Sequence, residues 1–328
     1  MTYLVIGSNS FSGAWMVNTL LDHYPKSSVF GFSRSPEKSA LFLPYKKRKP
    51  QNFQFFQVDL VRDTPRIFER IKKIKPDYII NFAAQGEVAT SWKFPEEWYE
   101  TNGVGIVKLA NFLKDQPYIK RYVHISTPEV YGACHNVGED APVNPSTPYA
   151  ASKAAGDLFL FTLVKQYQFP LTMIRSTNVY GMHQQLYRII PRTIIYLKMG
   201  KKIPLHGNGR AIKSYIHIKD VCEGIIAAME KGGKGEIYHF SPDENFSIRD
   251  LVEKICTLMG HDCARSIVSV QERPGQDAQY IINSSKARRE LSWRPRVLFE
   301  DGLREVIEWV NENYDEILRE PLDYVHQH

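Results

Sequence analysis

Cysteine is scarce in this chain: Cys134, Cys222, Cys256 and Cys263 are the only four in 328 residues, with no CxxC pair and no regular spacing. That argues against a secreted disulfide scaffold and for a reducing, cytoplasmic setting. His261 lies near Cys263 but has no second ligand pair at zinc spacing, so no metal site is expected. Long apolar runs are missing too. None approaches the length that spans a bilayer, and Met1 leads into a strand pattern without a signal-type segment. Strong charge of one sign is also absent, since 42 Lys and Arg face 36 Asp and Glu for a dispersed net of +6. Bulk charge therefore gives no reason to expect a nucleic-acid or membrane partner, and mildly favours small anionic ligands. The one dense basic run, Lys46-Lys47-Arg48-Lys49 before Pro50, reads as a solvated loop. Internal repeats and long linkers are not found, and aromatic residues at 12 % speak for a packed core.

What is present is alternation. Tyr3–Ile6, Ser28–Phe32, Phe55–Val58, Tyr78–Ile80, Tyr122–Ile125 and Thr172–Ile174 are short β-prone runs separated by stretches of helical period. From Val104 to Leu113, for example, Val107, Ala110 and Leu113 recur at threefold spacing. Near-continuous apolar strands alternating with helices predict βαβ crossovers and a parallel sheet covered on both faces, an α/β doubly wound (Rossmann) fold. The rhythm changes near Asn178. Residues 1–178 are expected to form a dinucleotide-binding domain, with 213–240 returning to it. Residues 179–328 are expected to form mainly a smaller α/β lobe for substrate, with helices near Ile248–Met259 and Leu303–Leu318. Ligands in such sheets bind outside the carboxyl ends of the strands, which gives weight to motifs that directly follow strands.

Gly7-Ser8-Asn9-Ser10-Phe11-Ser12-Gly13 is such a motif, lying between the first strand and the first helix. N–H groups and the helix dipole favour a diphosphate there, so Gly7, Ser10, Phe11, Ser12 and Gly13 are candidate cofactor contacts. Ser10 stands where a middle glycine is usual. Asp59, with Leu60 beside it, ends the third strand and suits either an adenine contact or a helix cap. The second strand ends Phe32-Ser33-Arg34-Ser35, with a cation and no carboxylate. An acidic residue at that place selects NAD, so Ser33 and Arg34 favour NADP over NAD.

The fifth strand ends His124-Ile125-Ser126-Thr127-Pro128-Glu129-Val130-Tyr131-Gly132, and a helix then opens at Ser146-Thr147-Pro148-Tyr149-Ala150-Ala151-Ser152-Lys153. Tyr149 and Lys153 are four apart and share one helical face. An ammonium beside a phenol lowers its pKa, giving a base for a sugar hydroxyl, while Thr127 can bond the same substrate oxygen. Spacing alone proves little, because Tyr45/Lys49 and Tyr215/Lys219 share it. Only the pair at Tyr149 follows a Ser-Thr strand end and opens a helix.

With these segments, Asn81-Phe82-Ala83-Ala84, Thr101-Asn102, Asn178-Val179-Tyr180-Gly181, Gly207-Asn208-Gly209-Arg210 and Arg273-Pro274-Gly275 complete an ordered series along almost the whole chain. The chain resembles the extended short-chain dehydrogenases/reductases of the nucleotide-sugar epimerase/dehydratase type. The resemblance implies that Phe82, Ala83, Ala84, Ser126, Tyr149 and Lys153 lie along the dinucleotide, and that the protein forms a homodimer through helices beginning near Glu96 and Tyr149. Phe159, Phe161 and Leu163 on the second of these helices permit that contact, and core packing explains them equally well. It also implies that Gln85, Glu87, Asn178, Arg188, His206, Lys213 and Arg273 meet a nucleotide-diphosphate sugar. Glu129 points to the 4,6-dehydratase branch: Tyr149 serves oxidation at C4, Glu129 removes the C5 proton, and water leaves from C6. Pro128 is a departure, because dTDP-glucose dehydratases carry an aspartate there and GDP-mannose dehydratases a serine. The segment Ala83–Ser91 resembles the GDP-mannose type, although Glu87 stands where histidine is usual, and Lys213 stands where arginine is common. An epimerase or a nucleotide-linked uronate decarboxylase on the same scaffold is the alternative. A non-catalytic dinucleotide-binding protein fits less well with Thr127, Glu129, Tyr149 and Lys153 together.

Overall fold

The computed structural model describes residues 1–271 and 278–326. Strands β1 (Thr2–Ile6), β2 (Ser28–Ser33), β3 (Phe53–Gln57), β4 (Tyr78–Asn81) and β5 (Arg121–Ile125) come first. β6 (Cys134–Val137) leaves the sheet and β7 (Leu171–Ser176) returns to it. β8 (Asn178–Tyr180), β9 (Ile203–His206), β10 (Ile212–Lys213) and β11 (Tyr215–His217) lie outside it, and β12 (Glu236–Phe240) adds its last strand. β13 (Phe246–Ser247), β14 (Ile267–Val270) and β15 (Tyr280–Ile282) follow. The main sheet has seven parallel strands in the order β12-β7-β5-β4-β1-β2-β3.

Side chains alternate across a strand, and here both faces are covered. Tyr3 and Val5 enter one core with Trp15, Leu20 and Ile225, while Leu4 and Ile6 enter another with Ile71, Leu109 and Leu160. That is why the strands read as continuous apolar runs. The order reverses beside β1, with β4 on one side and β2 on the other, which opens a crevice at the carboxyl ends of these strands. The helix Ile218–Lys231 packs in the same layer as the helix Phe11–His23, and it leads into β12. A third core, with Ile194, Leu205, Leu251, Ile255, Val306 and Trp309, holds the second lobe.

Two local expectations change, and one alternative left open is decided. The basic run lies in a tight turn, Pro44–Arg48, rather than an open loop: Lys46 pairs with Glu37 and Arg48 with Asp22. The helix expected over Leu303–Leu318 is interrupted at Asn313, giving Phe299–Glu312 and Tyr314–Ile317. Leu163 is buried, and Phe159 and Phe161 pack on the core beneath the sheet. Apolar residues that face outward on or near those helices include Trp92, Tyr99, Val104, Leu158 and Tyr167. Among the described residues no helix is long and apolar enough to cross a membrane, and no cluster of potential ligands holds a metal ion.

Candidate active site

A cleft of about 1210 Å³ opens over the carboxyl ends of β1, β4 and β5 and reaches into the second lobe. Its floor begins with the glycine loop. Gly7 takes a left-handed φ of 86°, and a Cβ on Gly13 would sit 2.2 Å from the Gly7 carbonyl oxygen, so strand and helix meet at a distance only glycine permits. Ser10 explains its own departure from glycine. It is the helix N-cap, its hydroxyl donating to the Gly7 carbonyl at 2.7 Å and accepting from the Gly13 N–H at 3.1 Å, a cap contributing about 1 kcal/mol. Asn9 braces the loop from beyond β2, its amide donating to the Ser35 and Pro36 carbonyls at 3.0 and 2.7 Å. Gly7, Ser10, Phe11, Ser12, Arg34, Asp59, Leu60, Phe82, Ala83 and Ala84 all line the cleft. This backbone cradle at a helix N-terminus fits a dinucleotide diphosphate.

Three side chains of this groove have protein partners. Asp59 Oδ1 accepts from the Val61 and Arg62 N–H groups at 2.8 and 3.1 Å, a capping role. The Ser33 hydroxyl accepts from the Asn9 N–H at 2.9 Å, and the Ser126 hydroxyl donates to Asp157 at 2.5 Å.

Thr127, Glu129, Tyr149 and Lys153 meet at the end of β5. Thr127 caps the short turn Pro128–Tyr131, and Thr147 caps the helix Pro148–Tyr167 by accepting from the Ala150 N–H at 3.1 Å. These two caps aim Glu129 and Tyr149 into the same space. Burial pushes the Tyr149 phenol up and the charge of Glu129 pushes it further, while a hydrogen bond from Thr127 and the Arg188 guanidinium pull it back. Arg188 is thus a cation that favours the phenolate. Lys153, which spacing set beside it, donates from Nζ to the Ile125 carbonyl at 2.8 Å. Burial lowers the Lys153 ammonium to about 8, with Asp157 opposing the shift and Arg175 adding to it. The other two Tyr-x-x-x-Lys pairs are structural: Tyr45 donates to Glu37 and Lys219 pairs with Glu305.

Towards the second lobe, Gln85, Glu87, Asn178, Arg188, His206 and Lys213 line the cleft. The Gln85 backbone is held on both sides by Asn102, which also donates to Ser152. Arg188 reaches Glu87 at 3.6 Å, His206 contacts the Gln271 carbonyl at 2.8 Å, and the Lys213 ammonium lies 3.9 Å from the centre of the Tyr280 ring. Arg273 lies outside the described residues.

The family model for GDP-mannose 4,6 dehydratase matches residues 4–306. The chain belongs to this family. A human dTDP-D-glucose 4,6-dehydratase is 30 % identical over 318 residues, covering 95 % of this chain and 90 % of the relative. The fold matches a dTDP-glucose 4,6-dehydratase from Streptomyces venezuelae solved with NAD bound, at TM-score 0.89 and 31 % identity over 96 % of this chain and 98 % of that one. A dTDP-glucose 4,6-dehydratase from Bacillus anthracis in complex with NAD matches at TM-score 0.87 and 30 % identity, with the same coverage. Within this family of extended short-chain dehydrogenases/reductases the chain is a nucleotide-sugar 4,6-dehydratase, a hydro-lyase.

Several residues of this dehydratase site carry no motif in the sequence. Asp157 and Arg175 lie behind Lys153, paired at 2.9 Å and nearly inaccessible. The lysine-plus-four spacing of Asp157 is the signal that was available. Tyr280 enters the cleft from β15, five residues past the Arg273-Pro274-Gly275 segment. The C-terminal tail also forms cleft wall, through Glu320, Pro321, Asp323, Tyr324 and Val325. It is anchored by His326, which stacks on Phe94 and Trp98 with ring centres 5.3 and 5.4 Å away and reaches Glu97 at 2.8 Å. The family match ends before this tail, so no family pattern marks it.

Proposed function

We propose that this dehydratase converts a nucleoside-diphosphate hexose to its 4-keto-6-deoxy form, with Thr127, Glu129, Tyr149 and Lys153 as the reacting set. The observation that carries these roles is the convergence of Glu129 and Tyr149 in one cleft beside the glycine-loop cradle, close enough that each charge acts on the other. Bound along Gly7–Gly13, Arg34, Asp59 and Phe82–Ala84, a nicotinamide dinucleotide would supply reversible oxidation at C4, with the same electrons returned at C6. The chain's own groups handle the protons. Tyr149, with the Thr127 hydroxyl on its oxygen, takes the proton of the C4 hydroxyl. A ketone at C4 makes the C5 hydrogen acidic, and the Glu129 carboxylate takes that proton and later returns one to C5. Pro128 has no proton to give.

Arg34 is exposed at the end of β2 with no carboxylate in the Phe32–Ser35 segment, and this supports NADP over the NAD bound by the structural neighbours. A GDP-linked hexose is supported by the Ala83–Ser91 segment, whereas relatives are named for dTDP-glucose and UDP-glucose. The outward-facing Tyr99, Val104 and Leu158 support a homodimer through the helices at 95–105 and 148–167.

The deciding experiment is mass spectrometry of GDP-, UDP-, dTDP- and CDP-hexoses incubated with the protein and either cofactor in deuterated water. Loss of one water with deuterium at C5 is expected, and the productive donor names the base. Loss of carbon dioxide from a uronic acid, or isomerisation without change of mass, would overturn the dehydration.

A further inference from the structure

Departure of a hydroxyl from C6 needs an acid, because hydroxide is a poor leaving group, and the position beside Glu129 is Pro128. Nearby proton-bearing groups are engaged elsewhere. Thr127 is hydrogen-bonded to Tyr149, Ser126 donates to Asp157, and Lys153 donates to the Ile125 carbonyl.

Tyr280 is differently placed. It opens β15, whose parallel pairing with β6 sets it opposite Cys134, just beyond the Pro128–Tyr131 turn. It is 6 % exposed, yet it lines the cleft with Pro128, Glu129 and Tyr149. Its hydroxyl donates to Asn178 Oδ1 at 2.8 Å, and the Lys213 ammonium stands over its ring. Burial, then the charge of Glu129, raises this phenol, so it carries its proton throughout the neutral range.

We infer that Tyr280 is the acid that protonates the departing C6 hydroxyl. The phenol turns about its C–O bond, so the proton now given to Asn178 can be offered to a sugar hydroxyl. The Tyr280 O–H bond breaks as its proton joins the C6 oxygen. The C6–O bond breaks with its electron pair on oxygen, and water leaves. The pair left at C5 when Glu129 takes the C5 proton becomes the C5–C6 double bond. Lys213 over the ring stabilises the resulting phenolate, and a proton from solvent restores it.

The role rests on the dehydratase reading and separates from it in one experiment, Tyr280→Phe in deuterated water with two readouts. Conversion of the hexose to the 4-keto-6-deoxy sugar is expected to fall by about 100-fold or more. Exchange of the C5 hydrogen in preformed 4-keto-6-deoxy product needs Glu129 but no departing water, and is expected to continue near the native rate. Equal loss of both readouts would make Tyr280 a support for Glu129, and unchanged conversion would make it a bystander; either overturns the assignment. A native protein that releases no water from any donor would overturn the dehydratase reading instead. Should Tyr280→Phe not fold, 3,5-difluorotyrosine at position 280 replaces it. Its more acidic phenol should lose its proton at lower pH and add a second fall to conversion above the break set by Lys153, without touching exchange, and a profile of native slope counts against the acid.

Discussion

At the β5 end of the cleft the charged groups sit behind the surface and are partnered by the protein, whereas at the sugar end they are spread along its walls. Asp157, 1 % exposed, takes the Ser126 hydroxyl at 2.5 Å and Arg175 at 2.9 Å, with His124 at 3.5 Å. Burial, and the nearby Lys153 and Arg175, keep His124 neutral. At the sugar end, Arg188 and Glu87 meet at 3.6 Å with side chains 41 % and 16 % exposed. The first end has to hold reacting atoms in fixed geometry before any ligand arrives. The second keeps the Arg188 side chain partly exposed towards an incoming diphosphate, whose charge it would neutralise.

The largest expected effect tests the β5 end directly. Tyr149→Phe removes the group that takes the C4 proton, and product formation should fall by roughly 10²–10⁴-fold with the fold intact by circular dichroism. A variant within a few-fold of native turnover would move the base elsewhere.

This end was largely legible in the sequence, because each part is local. Thr127 and Glu129 follow a strand, Tyr149 and Lys153 share a helix turn, and the glycine loop joins the first strand to the first helix. The supports were not legible. Asp157 reads as one more polar residue on a helix until Arg175 on β7 is brought against it, and Tyr280 depends on the β15–β6 pairing of segments far apart in sequence. Partners made across the fold were hidden for the same reason. Ser33 and Ser126 line the cleft where their positions put them, and only the folded chain shows that their hydroxyls also meet Asn9 and Asp157.

Breaking the buried set should show in stability first. Asp157→Asn leaves Arg175 buried without its counter-charge, and a loss of roughly 3–5 kcal/mol in urea unfolding is expected. A loss below about 1 kcal/mol, the value of an exposed pair, would mean that the two ends do not differ in kind.

Lys153 adds a pH signature. Its amine is held down to about 8, mainly by burial, so the ammonium is present below that pH and is lost as pH rises through it. Turnover that depends on the ammonium should fall about tenfold per unit above the break. Stability should move the other way. In the unfolded chain the lysine keeps its ordinary pKa, so between about 8 and 10.5 the unfolded state holds more protons, and this group's contribution to stability rises with pH. Falling turnover with unchanged or rising melting temperature would separate lysine titration from unfolding, and a parallel fall of both would refute it.

The smallest effect belongs to the sugar end. Arg188→Ala removes a half-exposed guanidinium whose pairing with Glu87 contributes about 0–1 kcal/mol to stability, so unfolding should hardly change. Its work is expected to appear only with substrate, as a rise of about tenfold in KM, equivalent to about 1.4 kcal/mol of lost diphosphate binding. Arg188 also pulls down the Tyr149 phenol, so kcat carries a second, separable signal. A KM effect alone means that Arg188 meets the diphosphate and leaves the phenol to Thr127. A kcat effect alone would place Arg188 with the β5 end and remove the contrast drawn between the two ends of the cleft.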